Sequence, residues 1–565
     1  MLGGWGLDWG LPTRARLERV MPGADSPELR ARLSSGWTAM RETLGPAILL
    51  SSQSWAGGFM GAVTVEPGWT QPPAALENTA RSFYLRSCSW DEPNILYGLY
   101  QLKPSLKGLN PNVYWYGAAY LYPLGAWIVA GAALTPAELV RSVAFYMEDP
   151  ARIAWLYLLA RSFMVFLFVV LTAVVGLTAA ELAGPRAGWW AAMFCAASPS
   201  LVTQAHILKP HLMAAACVVA AFGCCARALN RREPRLFVWA GVCGGLAAGC
   251  AINQGAACVF VPLGLVLAWR GGWVTFPQTV RWTLLAALAA IGTFLVTNPY
   301  FILQPVQSLA AMKIVSGMLS VGLHKTFAAL LEVFPASLTP GVYALAVLGA
   351  LQAARASDDG RRLAFLGLLV MLGLSVSIAS VGPLTGFKYF IGAGLLPVLA
   401  GTAVAALWEH RVAGRLWMPA AAVLAFLPAL AASTVYCANF ARDRDPVSNR
   451  WEAGAWIEAN VPAGAELGVL RAPQPLNIPY FALNRYRLTL IVPASARELP
   501  AERSPEWLVL LYPGYDDRPD AGAEFLARYE LVKRFDFWGP AALWPPLGDF
   551  DGNAPIEILR RRRAS

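Results

Sequence analysis

Between Leu156 and Cys437 the chain repeats one pattern: an apolar run long enough to reach across much of a bilayer, then a short polar loop. The runs are Leu156–Glu181, Ala187–Gln204, Leu212–Leu229, Leu236–Ile252, Ala256–Trp269, Trp282–Thr297, Gly341–Ala354, Leu363–Val381, Tyr389–Trp408 and Leu416–Cys437. Hydrocarbon offers a backbone no hydrogen-bond partner, so such a chain is confined to helices that satisfy their own N–H and C=O groups. The predicted fold is an α-helical polytopic membrane protein with about ten spans. Several runs fall short of the ~20 residues a crossing needs, so their ends are approximate. Only 14% of residues are charged, against roughly 25% in soluble domains, which excludes a water-soluble protein.

The loops set the orientation. One alternate set holds Arg186, Arg227, Arg231, Arg232, Arg235, Arg270, Arg281, Arg355, Arg361, Arg362, Arg411 and Arg415, and the other only Lys209, Lys313, Lys325 and Lys388. The positive-inside rule places the arginine loops in the cytoplasm. The net charge of +10 is therefore an orientation signal and gives no argument for nucleic acid. Residues 1–155 then form an external N-terminal region, 156–438 the transmembrane domain, and 439–565 a second external domain. Tyr114–Leu134 has external segments on both flanks, so it is expected to lie in the interface or re-enter; its aromatic start suits the headgroup zone. An external N-terminus needs a first crossing. Either Thr43–Val65 supplies it, or a span precedes Met1. Most of the nine cysteines lie in apolar runs as small packing residues with no metal-ligand spacing; Cys88 and Cys437 could both face outward, where a disulfide is one option.

After Cys437, Arg450–Asn460 has the pattern of an amphipathic helix. Leu467–Leu470, Leu488–Val492, Trp507–Tyr512, Tyr529–Phe535 and Ile556–Leu559 are strand-length apolar runs. The C-terminal part is predicted to be a small α/β domain.

Candidate chemistry gathers on the outer face. Asp91 and Glu92 form an acidic pair in Ser-Trp-Asp-Glu-Pro-Asn, read either as a catalytic carboxylate with its neighbour or as two solvated loop acids; Pro93 is expected to bias Glu92 away from helix. Of the 45 basic residues only seven are lysine, and Lys103, Lys107, Lys209, Lys313, Lys325 and Lys388 fall on this face with His206, His211 and His324. Ammonium and imidazole groups beside a carboxylate suit a phosphate-bearing lipid; snorkelling interfacial lysines are the alternative. A transporter or flippase of lipid-linked sugars would show ionisable residues inside its spans. The span interiors are almost free of them, Arg161 being the main exception.

Asp91-Glu92-Pro93-Asn94, Asn110-Pro111-Asn112 and Tyr114–Ala126 together resemble the first external loop of C-type-fold glycosyltransferases. The resemblance is nearest to glycosyltransferase family 39: bacterial relatives of the protein O-mannosyltransferases and the aminoarabinose-to-lipid-A transferases. Gly184-Pro185-Arg186-Ala187-Gly188 resembles their short cytoplasmic turn, Ser198 to His211 their second external loop, and Asn298-Pro299-Tyr300 a further loop motif. Trp456–Gly464 resembles the start of their external domain. Trp5–Pro12 is similar to the stretch that follows their first span, which favours a crossing upstream of Met1 and makes Thr13–Arg86 an insertion.

The resemblance implies inverting transfer of a sugar from a polyprenyl-phosphate donor to a protein, lipid or glycan acceptor. The site would lie on the periplasmic face of a bacterial inner membrane. An envelope polysaccharide polymerase or ligase would share the donor and differ in acceptor. Asp91 takes the place of the general base, with Glu92 beside it. Lys209, His206, His211, Lys388, Tyr389, Asn298 and Tyr300 take substrate-binding places. Many relatives carry an acid in the second external loop, where this chain reads His206-Ile207-Leu208-Lys209-Pro210-His211. A two-acid divalent metal site is therefore not expected, and no other cofactor is implied; Lys209 fits a phosphate contact, and His211 an acceptor or metal.

The orientation predicts that a reporter active only outside the cytoplasm works when fused after Ser565, and equally within Thr135–Pro150. Activity of cytoplasm-only reporters at either place would overturn it.

Overall fold

The computed structural model describes residues 2–562 except 24, 45–61, 115, 318, 321–328, 378, 381–393, 410–416, 492–495, 497–498, 513–520, 541–542, 544–546 and 548–551. The N-terminal region holds helices α1 (Arg14–Val20) and α2 (Pro27–Leu44), strand β1 (Val63–Val65), and helices α3 (Glu77–Leu85), α4 (Glu92–Gln101), α5 (Ala118–Ala132) and α6 (Val143–Glu148). The bundle follows as α7 (Pro150–Ala196), α8 (Pro199–Gln204), α9 (His211–Arg231), α10 (Leu236–Cys250), α11 (Phe260–Arg270) and α12 (Phe276–Thr297). It continues with α13 (Pro340–Arg355), α14 (Asp359–Ser377), α15 (Leu396–Glu409) and α16 (Trp417–Arg442). The C-terminal segment contributes α17 (Asn449–Asn460) and strands β2 (Glu466–Val469), β3 (Arg487–Leu490), β4 (Trp507–Leu511), β5 (Tyr529–Phe535) and β6 (Ile556–Arg561). The protein is thus mostly helical, with a small α/β part near its end.

Among the described residues five helical stretches are long and apolar enough to cross a membrane: α7, α9, Ile252–Arg270, α12 and Ala420–Arg442. A sixth is counted if Leu330–Leu338 and α13, bent by 114°, form one span. The helix α7 is two limbs, because Ala183 and Gly184 leave helical geometry just before Pro185. Gly184 has φ +80, the left-handed region that glycine enters without a Cβ penalty. The limbs then fold back so closely that a Cβ on Gly188 would sit 2.7 Å from the Gly176 carbonyl oxygen. The turn expected at Gly184–Gly188 is present.

The helix α5 has 15 residues, about 22 Å at helical rise, short of the ~30 Å hydrocarbon core. It packs on α7 and α10. Its N-cap Gly117 donates to the Cys250 carbonyl at 2.8 Å, and an added Cβ there would lie 1.8 Å from the Gly249 oxygen. Backbone meets backbone here, which only glycine permits.

The sheet has six strands in the order β1-β3-β2-β4-β6-β5. Neighbours of β2 run parallel, and the outer pairings are antiparallel. All five expected C-terminal strands form, on the expected residues. The sixth, β1, comes from the far end of the chain, pairing Val63 with Leu490 and Val65 with Leu488. This corrects the reading of Thr43–Val65 as a crossing at its C-terminal end; residues 45–61 lie outside the described residues. A buried ion pair fastens the same interface, Arg16 to Asp445 at 3.3 Å, and a second, Arg450 to Asp443 at 2.8 Å, lies within the C-terminal segment beside it. Cys88 and Cys437 are free buried thiols, and Cys88 Sγ instead lies 3.0 Å from the Tyr480 hydroxyl.

Replacing Gly117 by alanine forces the α5–α10 contact apart. Overpacking of this kind costs ~1–3 kcal/mol, so G117A should lower the thermal unfolding midpoint of the purified protein, while Gly292→Ala, where a Cβ meets nothing within 4 Å, should not.

Candidate functional site

The structure separates the two acids completely. Glu92 is fully buried and opens α4, with Pro93 in the first turn. This corrects the expectation that Pro93 turns Glu92 out of helix: an N–H missing in the first turn has no intrahelical partner to lose. The Glu92 carboxylate takes a two-point bond from Arg161, Nε to Oε1 at 2.9 Å and Nη2 to Oε2 at 2.7 Å. It also accepts from the Ser87 hydroxyl at 2.6 Å and from the Leu208 N–H at 3.3 Å. Arg161 in turn donates to the main-chain carbonyls of Leu7 and Trp9, each at 2.7 Å, and its guanidinium lies 4.6 Å from the Trp9 ring centre. Four segments are tied at one point: the N-terminal stretch, the loop before α4, the first limb of α7 and the loop before α9.

Asp91 is different. It is the N-cap of α4, its carbonyl accepts from Asn94 and Ile95, and its side chain is 28% exposed. Its Oδ2 lies 3.1 Å from Lys209 Nζ, whose side chain is only 7% exposed. The reason the two meet is local: Asp91 precedes Glu92, Lys209 follows Leu208, and Glu92 binds the Leu208 N–H. The clamp sets the Asp91–Lys209 pair by chain continuity.

The surroundings are cationic. Arg86 is buried and donates to Gln474 Oε1 at 2.5 Å. Burial pulls its guanidinium down to about 10, against the opposing charges of Tyr157 and Asp91. Arg471 lies 5.7 Å from the ring centre of Trp90, the residue before Asp91.

The other expected residues are distributed around this centre. His206 is buried, its ring nitrogens 2.8 and 2.9 Å from the Val202 and Trp5 carbonyls and its ring stacked 4.4 Å from Phe440. Burial lowers its pKa, the two carbonyls working against that and the Arg161 charge with it. Its own carbonyl accepts from the Trp9 indole at 2.9 Å. His206 therefore holds the N-terminal stretch in place. His211 opens α9 and meets Tyr116 edge-on at 6.4 Å. Asn298 Oδ1 accepts from the Ala118 N–H at 2.8 Å and the Tyr300 hydroxyl at 2.9 Å, so Asn298 caps the start of α5 and Tyr300 steadies the capping amide. Lys388, Tyr389, Lys325 and His324 lie outside the described residues. Among the described residues no cluster of His, Cys, Asp or Glu is placed to hold a metal ion.

Sequence reasoning met Arg161 only as an exception in an apolar run. The available signal was that a buried guanidinium demands an acid; that the acid is Glu92, 69 residues away, no local pattern says.

The chain matches no protein-family model and no curated protein. Among solved structures it is similar to the archaeal oligosaccharyltransferase AglB from Archaeoglobus fulgidus in complex with an inhibitory peptide and a dolichol-phosphate. That similarity covers 84% of this chain and 85% of that one, with 11% identity and TM-score 0.42. It is similar also to ArnT from Cupriavidus metallidurans bound to undecaprenyl phosphate, over 93% of this chain and 98% of that one, with 12% identity and TM-score 0.39. The arabinofuranosyltransferase AftD from Mycobacteria is similar over 97% of this chain and 40% of that one, with 15% identity and TM-score 0.37.

Glu92→Gln leaves the buried Arg161 without its counter-charge, a loss of about 3–5 kcal/mol for a buried pair. The expected result is a lowered unfolding midpoint and poor yield of E92Q, against near-normal behaviour of Asp91→Asn. Equal stability of the two variants would remove the clamp assignment.

Proposed function

We propose that the protein is an inverting glycosyltransferase that moves a sugar from a polyprenyl-phosphate donor to an acceptor hydroxyl at the outer face of the membrane. The observation that carries this reading is the Asp91–Lys209 pair: a partly exposed carboxylate 3.1 Å from a largely buried ammonium, each fixed by a neighbour in the clamp. The pair supplies the two functions such a transfer needs. Asp91 takes the proton from the acceptor hydroxyl as its oxygen bonds to the anomeric carbon. The bond from that carbon to the phosphate oxygen breaks with inversion, and its electron pair departs on the phosphate, where Lys209 meets the growing negative charge. Before substrate arrives the two groups neutralise each other; the donor phosphate draws Lys209 to itself and leaves Asp91 to the acceptor. The cationic surroundings, Arg86 and Arg471, favour an anionic donor.

A transporter would use ionisable groups along a path through its spans. Arg161, the charge placed inside a span, is instead spent on Glu92 and two main-chain carbonyls, which favours the transferase.

Transfer of radiolabelled sugar from a polyprenyl-phosphate donor in isolated membranes tests the reading. Asp91→Asn should lose about 10²–10⁴-fold in rate with insertion and folding intact. Lys209→Ala should raise KM for the donor more than for the acceptor. Near wild-type transfer by D91N would leave Asp91 a solvated loop acid and remove the assignment.

A further inference from the structure

A second feature stands apart from the Asp91–Lys209 pair. Helices α3, α4, α5 and α6, the start of α7 and Trp37 of α2 enclose a cavity of about 510 Å³. That is within the range of a small-ligand site, roughly 300–1,000 Å³. Its wall is chiefly apolar, with Leu96, Leu99, Ile128 and Leu156 among the lining side chains. Three arginines, Arg81, Arg86 and Arg141, also line it, and no Asp or Glu does. Part of the wall, Trp37, Asn78, Arg81 and Ser82, comes from Thr13–Arg86, the segment read as an insertion.

Two features say what enters. The rim residues Val129 and Leu139 are apolar yet 61% and 49% exposed, on and just after α5, the helix with the composition of an interfacial one. A ligand passing such a lip comes from a lipid phase more readily than from water. Inside, no Asp or Glu lines the wall, and the arginines donate to neutral oxygens, Arg81 to the Leu33 carbonyl and Asn78 Oδ1, Arg86 to Gln474 Oε1 and Arg141 to the Leu102 carbonyl. Arg81 and Arg86 are both buried. Burial holds both below the usual arginine range, Glu77 opposing at Arg81 and Tyr157 and Asp91 at Arg86, so an arriving anion would relieve desolvation already incurred.

We propose that this cavity binds a phosphate-headed amphiphile from the bilayer, with one hydrocarbon chain among the apolar residues of α4 and α5 and the acidic head answered by the lining arginines. The size suits a single chain rather than a whole multi-chain lipid. The cavity shares Arg86 with the surroundings of the Asp91–Lys209 pair but is lined by neither Asp91 nor Lys209, and it binds its ligand whether or not that pair transfers a sugar. A lipid substrate of the transferase and a resident phospholipid share this chemistry.

The test is photolabelling of the full-length protein in neutral detergent with hexadecyl phosphate carrying a diazirine at mid-chain. Peptide mass spectrometry should place the label on α4 and α5, saturably, with hexadecanol carrying the same diazirine labelling there weakly. Arg141→Gln should weaken labelling about tenfold, the size of a lost charge-assisted hydrogen bond. Val129→Trp, at an exposed rim position, should block it with the unfolding midpoint unchanged, which separates occlusion from misfolding. Competition by polyprenyl phosphate but not phosphatidic acid assigns the site to a transferase substrate, and the reverse order to a resident phospholipid. Labelling that does not saturate, is equal for the alcohol, or spreads evenly over the exposed apolar helices would overturn the proposal. So would saturable labelling unaltered by both V129W and R141Q.

Discussion

One buried ion pair organises the end of the bundle that meets the N-terminal segment. Arg161 carries a charge into the apolar interior of α7, where neither water nor lipid can stabilise it, and Glu92 meets it with two parallel bonds. Such a pair gains little over well-packed hydrocarbon but is costly to break. Its value here is positional. With Ser87, Leu208, Leu7 and Trp9 completing the hydrogen bonds, the clamp leaves a single register in which two loops and the N-terminal stretch approach the first limb of α7.

The candidate site follows from that register. Asp91 and Lys209 touch because each is next in the chain to a clamped residue, and neither needs independent support. Rigid backing on one side and exposure on the other give the Asp91 carboxylate the fixed geometry and the access that the proposed role needs. His206 belongs to the backing, filling the space between Trp5, Val202 and Phe440 rather than facing outward.

The N-terminal segment is as much part of the C-terminal domain as of the bundle. β1 extends the sheet beyond β3, and Arg16 reaches Asp445 across 429 residues of sequence. α2 and α3 turn the other way and wall the cavity beside α5. A segment that reads in sequence as a polar insertion thus joins the sheet, the bundle and the cavity. Residues spaced so far apart leave no local periodicity to reveal this.

What the sequence determined by itself is what local physics determines. Apolar runs became helices because a backbone in hydrocarbon must bond to itself; the Gly184-Pro185 break reversed α7; five alternating or apolar C-terminal runs became five strands of the sheet. The sequence also singled out Asp91, Glu92 and Lys209, which the structure brings together. The division of labour between the two acids was not legible in it. Asp91 and Glu92 are adjacent and chemically alike, and the choice depends on which carboxylate reaches Arg161, 69 residues away. Only the packing of α4 against α7 settles that, because the direction a side chain takes at a helix start is set by what the helix lies upon. Pro93, a helix breaker by propensity, starts a helix here because it falls in the first turn of α4, where its missing N–H has no intrahelical partner to lose.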